Sequence, residues 1–348
     1  MFQFHAILTS VILIDVDGRE HRLREYAGAV AADDLTAATG WELKPAGLCR
    51  GDVCVPLLGR ELTAAGDDSR IDLAGWAAAL GLLAAGDDVA GVVALAPSAE
   101  TRARETADGK APPLPLRDVD GNPVAFEDLT GHKRVLVTWA SWCGCRHELG
   151  GWQRLQDELA DAGLRLFAVA LDADPEDARP WIEAAGPSYP VAVDPAHVTA
   201  ERYGITNVPS VVWVDEDDRI VKPPTIAPGD DQYREFTLIG SAQHHDLLRA
   251  WVREGRLPES AAVDPPARTD AEQQALAERR VAAHLQRHGR TDAARAHLAR
   301  ARELAPWDWT VRRGGIAMTG GDPFLGEEFL VLWEEWDAHG RPGYTATT

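Results

Sequence analysis

Val135-Leu-Val-Thr-Trp-Ala-Ser-Trp-Cys-Gly-Cys-Arg146 decides how the chain is read. The apolar run from Val135 to Ala140 reads as a buried strand. It breaks at Ser141 and Trp142 and gives way to two cysteines around one glycine. From Arg146 onward Leu149, Trp152, Leu155 and Leu159 recur on one side of a helix. A thiol pair between a strand and a helix start is a redox-site layout. Partial positive charge at a helix N-terminus favours the thiolate, the form that attacks.

Composition bounds the rest. A chain of 348 residues has room for about two or three domains, and its 45% apolar content can supply a core. The formal net charge of −20 repels nucleic acid and anionic membrane, so neither is an expected partner. No stretch approaches the roughly 18 uninterrupted apolar residues that a membrane span needs. The apolar run 2–14 lacks a basic leader and a small-residue cleavage site, and it runs into Asp15-Val-Asp-Gly18, a turn signal. That pattern predicts a β-hairpin rather than a signal peptide, and a cytoplasmic location follows as the default. The four cysteines fall in two close pairs, Cys49/Cys54 and Cys143/Cys145, which favours redox or metal chemistry over structural bridging.

Residues 1–96 read as a small α+β accessory module. After the hairpin come a short capped helix over 33–39 closed by Gly40, a loop over 41–49, an extended piece at 52–56, a helix within 71–83 and a strand over 89–96. Residues 97–113 form a linker holding a charged helix at 100–105. Residues 114–257 alternate strand and helix, the pattern of an α/β sheet. Helices are expected over 146–162 and 196–203, with strands over 134–140 and 164–171. Asp174 caps a further helix with Pro175 at its first position. A hairpin spans 211–221, then an inserted surface loop at 222–231, an edge strand at 236–239 and a last helix over 243–254 closed by Gly255. Residues 258–270 are a second, proline-rich linker, and 271–348 are helical. Within that helical module Gly289 breaks the first helix and Thr291 or Asp292 caps the next. Ala301, Leu298 and Ala294 fall on positions of a tetratricopeptide unit counted back from Pro306. Glu278, Val281 and Ala282 hold the places of its Trp-Leu-Gly half, and one unit cannot form a solenoid. A final helix opening at Asp322-Pro323 puts Leu325, Phe329, Leu332, Trp333 and Trp336 on one stripe, read as core packing rather than a partner groove.

The cysteine pair carries a family resemblance. Residues 114–257 resemble a thioredoxin-fold domain of the ResA/TlpA type of thiol–disulfide oxidoreductase, through Phe126-Glu-Asp-Leu-Thr-Gly131, Val135 to Cys143, Cys145-Arg-His-Glu148 and Tyr203-Gly-Ile-Thr-Asn-Val-Pro209. The local motif Trp139-Ala-Ser-Trp-Cys-Gly-Cys145 is similar to the ResA-like WAxxUGC group, with Cys143 at the selenocysteine position. The resemblance implies a thioredoxin-like fold and a cis bond at Pro209 facing the thiols, where neighbouring backbone can pair with a bound polypeptide. Three departures matter. Gly144 alone separates the cysteines, so the closed ring is small and labile. Val137 stands where thioredoxin has a buried acid that assists proton transfer, and Gly150 stands where the family often has a kinking proline.

Cys143 is the expected nucleophile and Cys145 the resolving thiol. Trp142, Arg146, Glu148 and Pro209 are supporting residues: Arg146 and His147 add positive potential, and Glu148 opposes it if it faces the sulfur. A thiol-dependent peroxidase is an alternative, although Leu136 and Ala140 hold the places where a peroxiredoxin carries proline and threonine or serine. A redox-sensing adaptor that binds partners through the C-terminal helices is another. Cys143-x-Cys145-x-His147 is too closely spaced for a structural zinc site, so no metal is expected. No cofactor is needed, because the electrons reside on sulfur. Partners are then protein or small-molecule thiols and disulfides and an external reductant. Cys49 and Cys54 are a local disulfide, two unrelated buried thiols or, if both lie on a loop facing the thioredoxin-like domain, a second dithiol relaying electrons to the first pair.

Overall fold

The computed structural model describes residues 9–26, 28–64, 67–262 and 267–342. The first strands are β1 (Thr9–Ile14) and β2 (Glu20–Tyr26), an antiparallel hairpin. Its turn is tied by Asp15, whose Oδ1 accepts the N–H groups of Asp17 and Arg19. The start of the apolar run, residues 2–8, lies outside the described residues. β3 (Ala29–Ala31) leads into α1 (Ala32–Thr39), which starts without a side-chain cap and ends on Gly40 in left-handed backbone.

The stretch 41–49 is not the loop its composition suggests. β4 (Glu42–Lys44), β5 (Gly47–Arg50) and β6 (Val53–Val55) form a three-stranded sheet, held because Leu48 buries into the module's core. β7 (Thr63–Ala64), β8 (Asp67–Asp72), α2 (Leu73–Ala79), β9 (Leu82–Asp87) and β10 (Val92–Pro97) follow. The helix expected within 71–83 is thus confined to α2, with strands on either side. The main N-terminal sheet has the order β7-β8-β3-β2-β1-β10-β9. α3 (Ala99–Glu105) is capped by the Ser98 side chain.

The second sheet is built from β11 (Pro115–Arg117), β12 (Pro123–Ala125), β13 (Lys133–Trp139), β14 (Leu164–Ala170), β15 (Val191–Val193), β16 (Ser210–Val214) and β17 (Ile220–Ile226), in the order β12-β11-β15-β14-β13-β16-β17. Between them run α4 (Leu149–Leu159), α5 (Pro175–Ala185) and α6 (Val198–Arg202), and α7 (Arg234–Thr237) and α8 (Ser241–Glu254) follow. β13 lies parallel to β14 and antiparallel to β16, and every residue from Arg134 to Trp139 is buried. Burial on both faces is why it reads as one apolar run. Asp174 accepts the Glu176 N–H and Pro175 opens α5, as its sequence predicts.

Two expectations fail here. The segment 222–231 is not an inserted surface loop: β17 continues to Ile226, and Lys222 is fully buried with its ammonium on Thr225 Oγ1. Pro223 and Pro224 fit because β17 is an edge strand and its register against β16 shifts between Lys222 and Thr225. The segment 236–239 is not an edge strand either. The edge beyond β16 is already taken by β17, and 234–237 coil into α7, with the Thr237 N–H on the Tyr233 carbonyl at 2.9 Å.

The C-terminal part is helical: α9 (Asp270–Arg287), α10 (Thr291–Leu304), α11 (Trp309–Met318) and α12 (Glu327–Ala338). Thr269 and Glu272 form a capping box on α9, whereas α10 starts behind Arg290 without a side-chain cap, so neither Thr291 nor Asp292 plays that part. α12 begins at Glu327, not at 322–323, because Asp322 instead closes a turn by accepting the Phe324 and Leu325 N–H groups. Leu325 is therefore off the stripe and exposed. No described helix is long and apolar enough to cross a membrane.

Val281, Leu285 and Leu298 of α9 and α10 share a core with Ile14, Val92 and Ala94 of the first sheet. Arg280 pins this body to the second sheet's domain. It donates to Leu95 O at 2.6 Å, Ala196 O at 3.1 Å and Glu201 Oε2 at 2.5 Å, and Arg102 also pairs with Glu201. A fully buried charge is tolerable only when paired and hydrogen-bonded in this way.

Candidate active site

The chain leaves β13 at Trp139 and turns, with the Cys143 N–H on the Ala140 carbonyl at 3.1 Å. Asp172 fixes the turn by accepting both the N–H and the hydroxyl of Ser141, and burial pushes its carboxyl up to about 7. Trp142 is buried and donates its indole N–H to Leu171 O at 3.2 Å. Cys143 then caps a short 3-10 turn, Gly144–His147, and α4 starts only at Leu149, so the continuous helix expected over 146–162 is broken at its start. The local donor to the Cys143 sulfur is the Cys145 N–H, at 3.2 Å.

Cys143 and Cys145 are disulfide-bonded, with Cα atoms 5.2 Å apart. Opposite them the Val208–Pro209 peptide is cis, and the Val208 carbonyl oxygen lies 3.6 Å from Cys143 Sγ. Two flanking backbone groups are committed within the chain. The Val208 N–H donates to Asn207 Oδ1 at 2.8 Å, and the Pro209 carbonyl accepts from the Ala227 N–H at 3.3 Å.

Glu148 is buried beside the pair. Burial drives its carboxyl up to about 8 against the opposing effect of the Gly229 N–H, which donates to Oε2 at 3.0 Å. At neutral pH the group is mostly protonated, so it does not place a full negative charge against the sulfur. Two glycines permit this contact: a Cβ on Gly151 would overlap the Gly229 carbonyl oxygen. His147 is not the cation expected of it, since burial and the neighbouring Arg146 hold its pKa below the ordinary value. Arg146 stacks its guanidinium between the rings of Trp181 and Phe324, at 4.2 and 4.4 Å, and donates Nη1 to Ser141 O at 2.6 Å. The single spacer residue also has a steric meaning. The Tyr233 ring lies over Gly144, where a Cβ would meet it at 3.0 Å.

Sequence reasoning missed what stands above the thiols. α11 docks through the Trp309 N–H on Thr206 O at 2.7 Å, and Gly314 brings it against the Trp142 ring. Phe329, Leu332 and Trp336 of α12 pack on Trp309 and Ile316 as core. Trp333 is only partly buried and Leu325 is exposed, so the core reading holds for three of the five stripe residues. Phe329, Trp333 and Trp336 also line, with Cys143, Cys145, Pro209, Tyr233 and Arg313, a cavity of about 380 Å³. The stripe was visible in the sequence, but nothing in its spacing says which surface it faces.

Cys49 and Cys54 are also disulfide-bonded. They lie directly opposite each other on β5 and β6, a local cross-strand pair on strands rather than on a loop. Among the described residues no group of three or more His, Cys, Asp and Glu side chains is placed to hold a metal.

The sequence model of the AhpC/TSA family matches residues 107–222. The thiol-disulfide oxidoreductase ResA of Bacillus thuringiensis is 28% identical over 116 residues, 32% of this chain and 66% of that protein. The matched stretch thus spans just under two thirds of that relative's length. A Mycobacterium tuberculosis protein provisionally named a peroxiredoxin is 32% identical over 133 residues, covering 34% of this chain and 83% of its own. The solved thioredoxin domain of a Bacteroides vulgatus thiol-disulfide oxidoreductase is 26% identical, over 36% of this chain and 91% of that one, with a TM-score of 0.32. Through its central stretch the chain belongs to the AhpC/TSA family of thioredoxin-fold redox proteins.

Proposed function

We propose that the chain is a thiol–disulfide oxidoreductase in which Cys143 attacks and Cys145 resolves. One observation carries this reading: the bonded pair at the end of β13, with the Cys145 N–H on the Cys143 sulfur and a buried carboxyl in the same cavity. A free thiol has a pKa of about 8.5. Glu148, at about 8, is matched to it, and acid–base transfer is efficient when the catalytic pKa lies near the operating pH. Glu148 therefore supplies the proton acceptor that Val137 does not. The sequence Trp139 to Cys145 supports kinship with the ResA-like WAxxUGC group, and we read α9 and α10 as a single tetratricopeptide-like unit.

Turnover of hydroxyethyl disulfide with dithiothreitol as reductant tests the assignment. The wild type should be active and Cys143→Ser inactive, and Cys145→Ser should accumulate a mixed disulfide on Cys143 by mass spectrometry. Undiminished turnover in Cys143→Ser refutes it. The peroxiredoxin-named relative favours a second reading, a thiol peroxidase using the same cysteines. Hydrogen peroxide consumption without disulfide turnover selects that one.

A further inference from the structure

The two sulfurs are on the floor of a cleft roofed in part by α11 and α12. Cys143 is 5% exposed and Cys145 3%. The cleft of about 380 Å³ between them and α11–α12 is within the size range of a small-molecule site. Its wall is anchored: Arg268 ties Asp308, at the start of α11, to Ile205 O, and Arg312 joins α11 to Glu335 of α12 at 3.0 Å. Backbone pairing with an extended polypeptide is restricted here to one acceptor, the Val208 carbonyl. Pairing requires free backbone donors and acceptors, and the Val208 N–H and Pro209 carbonyl are both taken within the chain.

The lining is specific in two respects. Phe324, Phe329, Trp333 and Trp336 give it an aromatic wall. Arg146 gives it a cation that has no ion-pair partner among the described residues and whose Nη2 makes no hydrogen bond there. Glu148 is the one acidic side chain in the lining among the described residues, and its carboxylate oxygen is occupied by the Gly229 N–H. On a chain with a net charge of −20, this is a local inversion toward anions.

We propose that the cavity takes a small aryl disulfide bearing a carboxylate, with its ring on the Phe324–Trp333 wall, its carboxylate at Arg146 and a sulfur presented to Cys143. The proposal rests on the oxidoreductase reading above and names its substrate class. The Cys143 thiolate attacks one substrate sulfur, the substrate S–S bond breaks, and one aryl thiolate leaves. Cys145 gives its proton to the Glu148 carboxylate and attacks Cys143. The Cys143–Cys145 bond forms and the second aryl thiolate leaves. Two electrons have passed from the dithiol to the substrate, and a dithiol reductant, dithiothreitol in the assay, restores the pair.

Stopped-flow oxidation of the reduced full chain tests this with dithiobis(nitrobenzoate), which is anionic, and dithiodipyridine, which is not. Each rate is divided by that of free dithiothreitol with the same reagent. The normalised anionic rate should exceed the neutral one by about tenfold, the equivalent of one favourable charge contact. The ratio should collapse toward one in Arg146→Gln. A wild-type ratio of one or below overturns the proposal without needing any variant to fold, and so does an unchanged ratio in folded Arg146→Gln. Reaction of Cys143 with neither reagent, nor with hydroxyethyl disulfide, instead overturns the oxidoreductase reading itself.

Discussion

Replacing Glu148 by glutamine should make the protein more stable in alkali. The carboxyl is raised from 4.5 to about 8, chiefly by burial and further by the charge of Asp230, while the Gly229 N–H works the other way. A group whose folded pKa is raised supports the fold fully below its unfolded pKa, and that support is lost as pH climbs through the folded value. Here the loss runs from about 4.5 to about 8. At about 1.4 kcal/mol per tenfold change in proton affinity, it totals roughly 4–5 kcal/mol, of which roughly 3 has been lost by pH 7. Glutamine keeps the shape and an oxygen for the Gly229 N–H but cannot ionise. Urea denaturation of the oxidised wild type and of Glu148→Gln at pH 5 and pH 9 measures the difference, and the general charge repulsion of an acidic chain cancels between them. Glu148→Gln should lie several kcal/mol further above wild type at pH 9 than at pH 5. Parallel pH profiles would refute the account of Glu148 as a desolvated acid.

Gly151→Ala should lower stability by about 2 kcal/mol or more, since its Cβ meets the Gly229 backbone rather than a movable side chain, and thermal unfolding should show it. It should also slow disulfide turnover, because the same displacement moves the Gly229 N–H away from Glu148. Arg280→Met should cost about 3–5 kcal/mol in equilibrium unfolding, as removing one partner leaves Glu201 buried with less compensation.

The sequence was most legible where one local rule decides the structure. Asp174-Pro175 could only open a helix, and Gly40 and Gly255 ended helices by accepting left-handed backbone. β13 announced itself because both its faces are covered. Legibility failed where a residue serves a distant neighbour. α11 went unseen because Gly314 and Gly315 interrupt its helical pattern. Those glycines are there for closeness to Trp142 and to Leu298 and Arg302, which are far away in sequence. Pro223 and Pro224 read as loop because an irregular edge strand and a loop both leave backbone positions that need no N–H donor. The thiol pair was found at once, whereas its roof was not, since helix periodicity identifies a face and not what lies across from it.

The core shared by the first sheet and α9–α10 has a consequence for synthesis. A chain emerging from the ribosome completes the β1–β10 face long before the residues that cover it are made, and the thioredoxin-fold segment is translated in between. At about 5–20 residues per second, that segment has several seconds in which to fold while the face stays bare. The dithiol therefore forms uncovered and acquires its aromatic roof last. A nascent chain thus passes through a period in which Cys143 and Cys145 are open to any oxidant or folding helper, a period that ends when α12 docks.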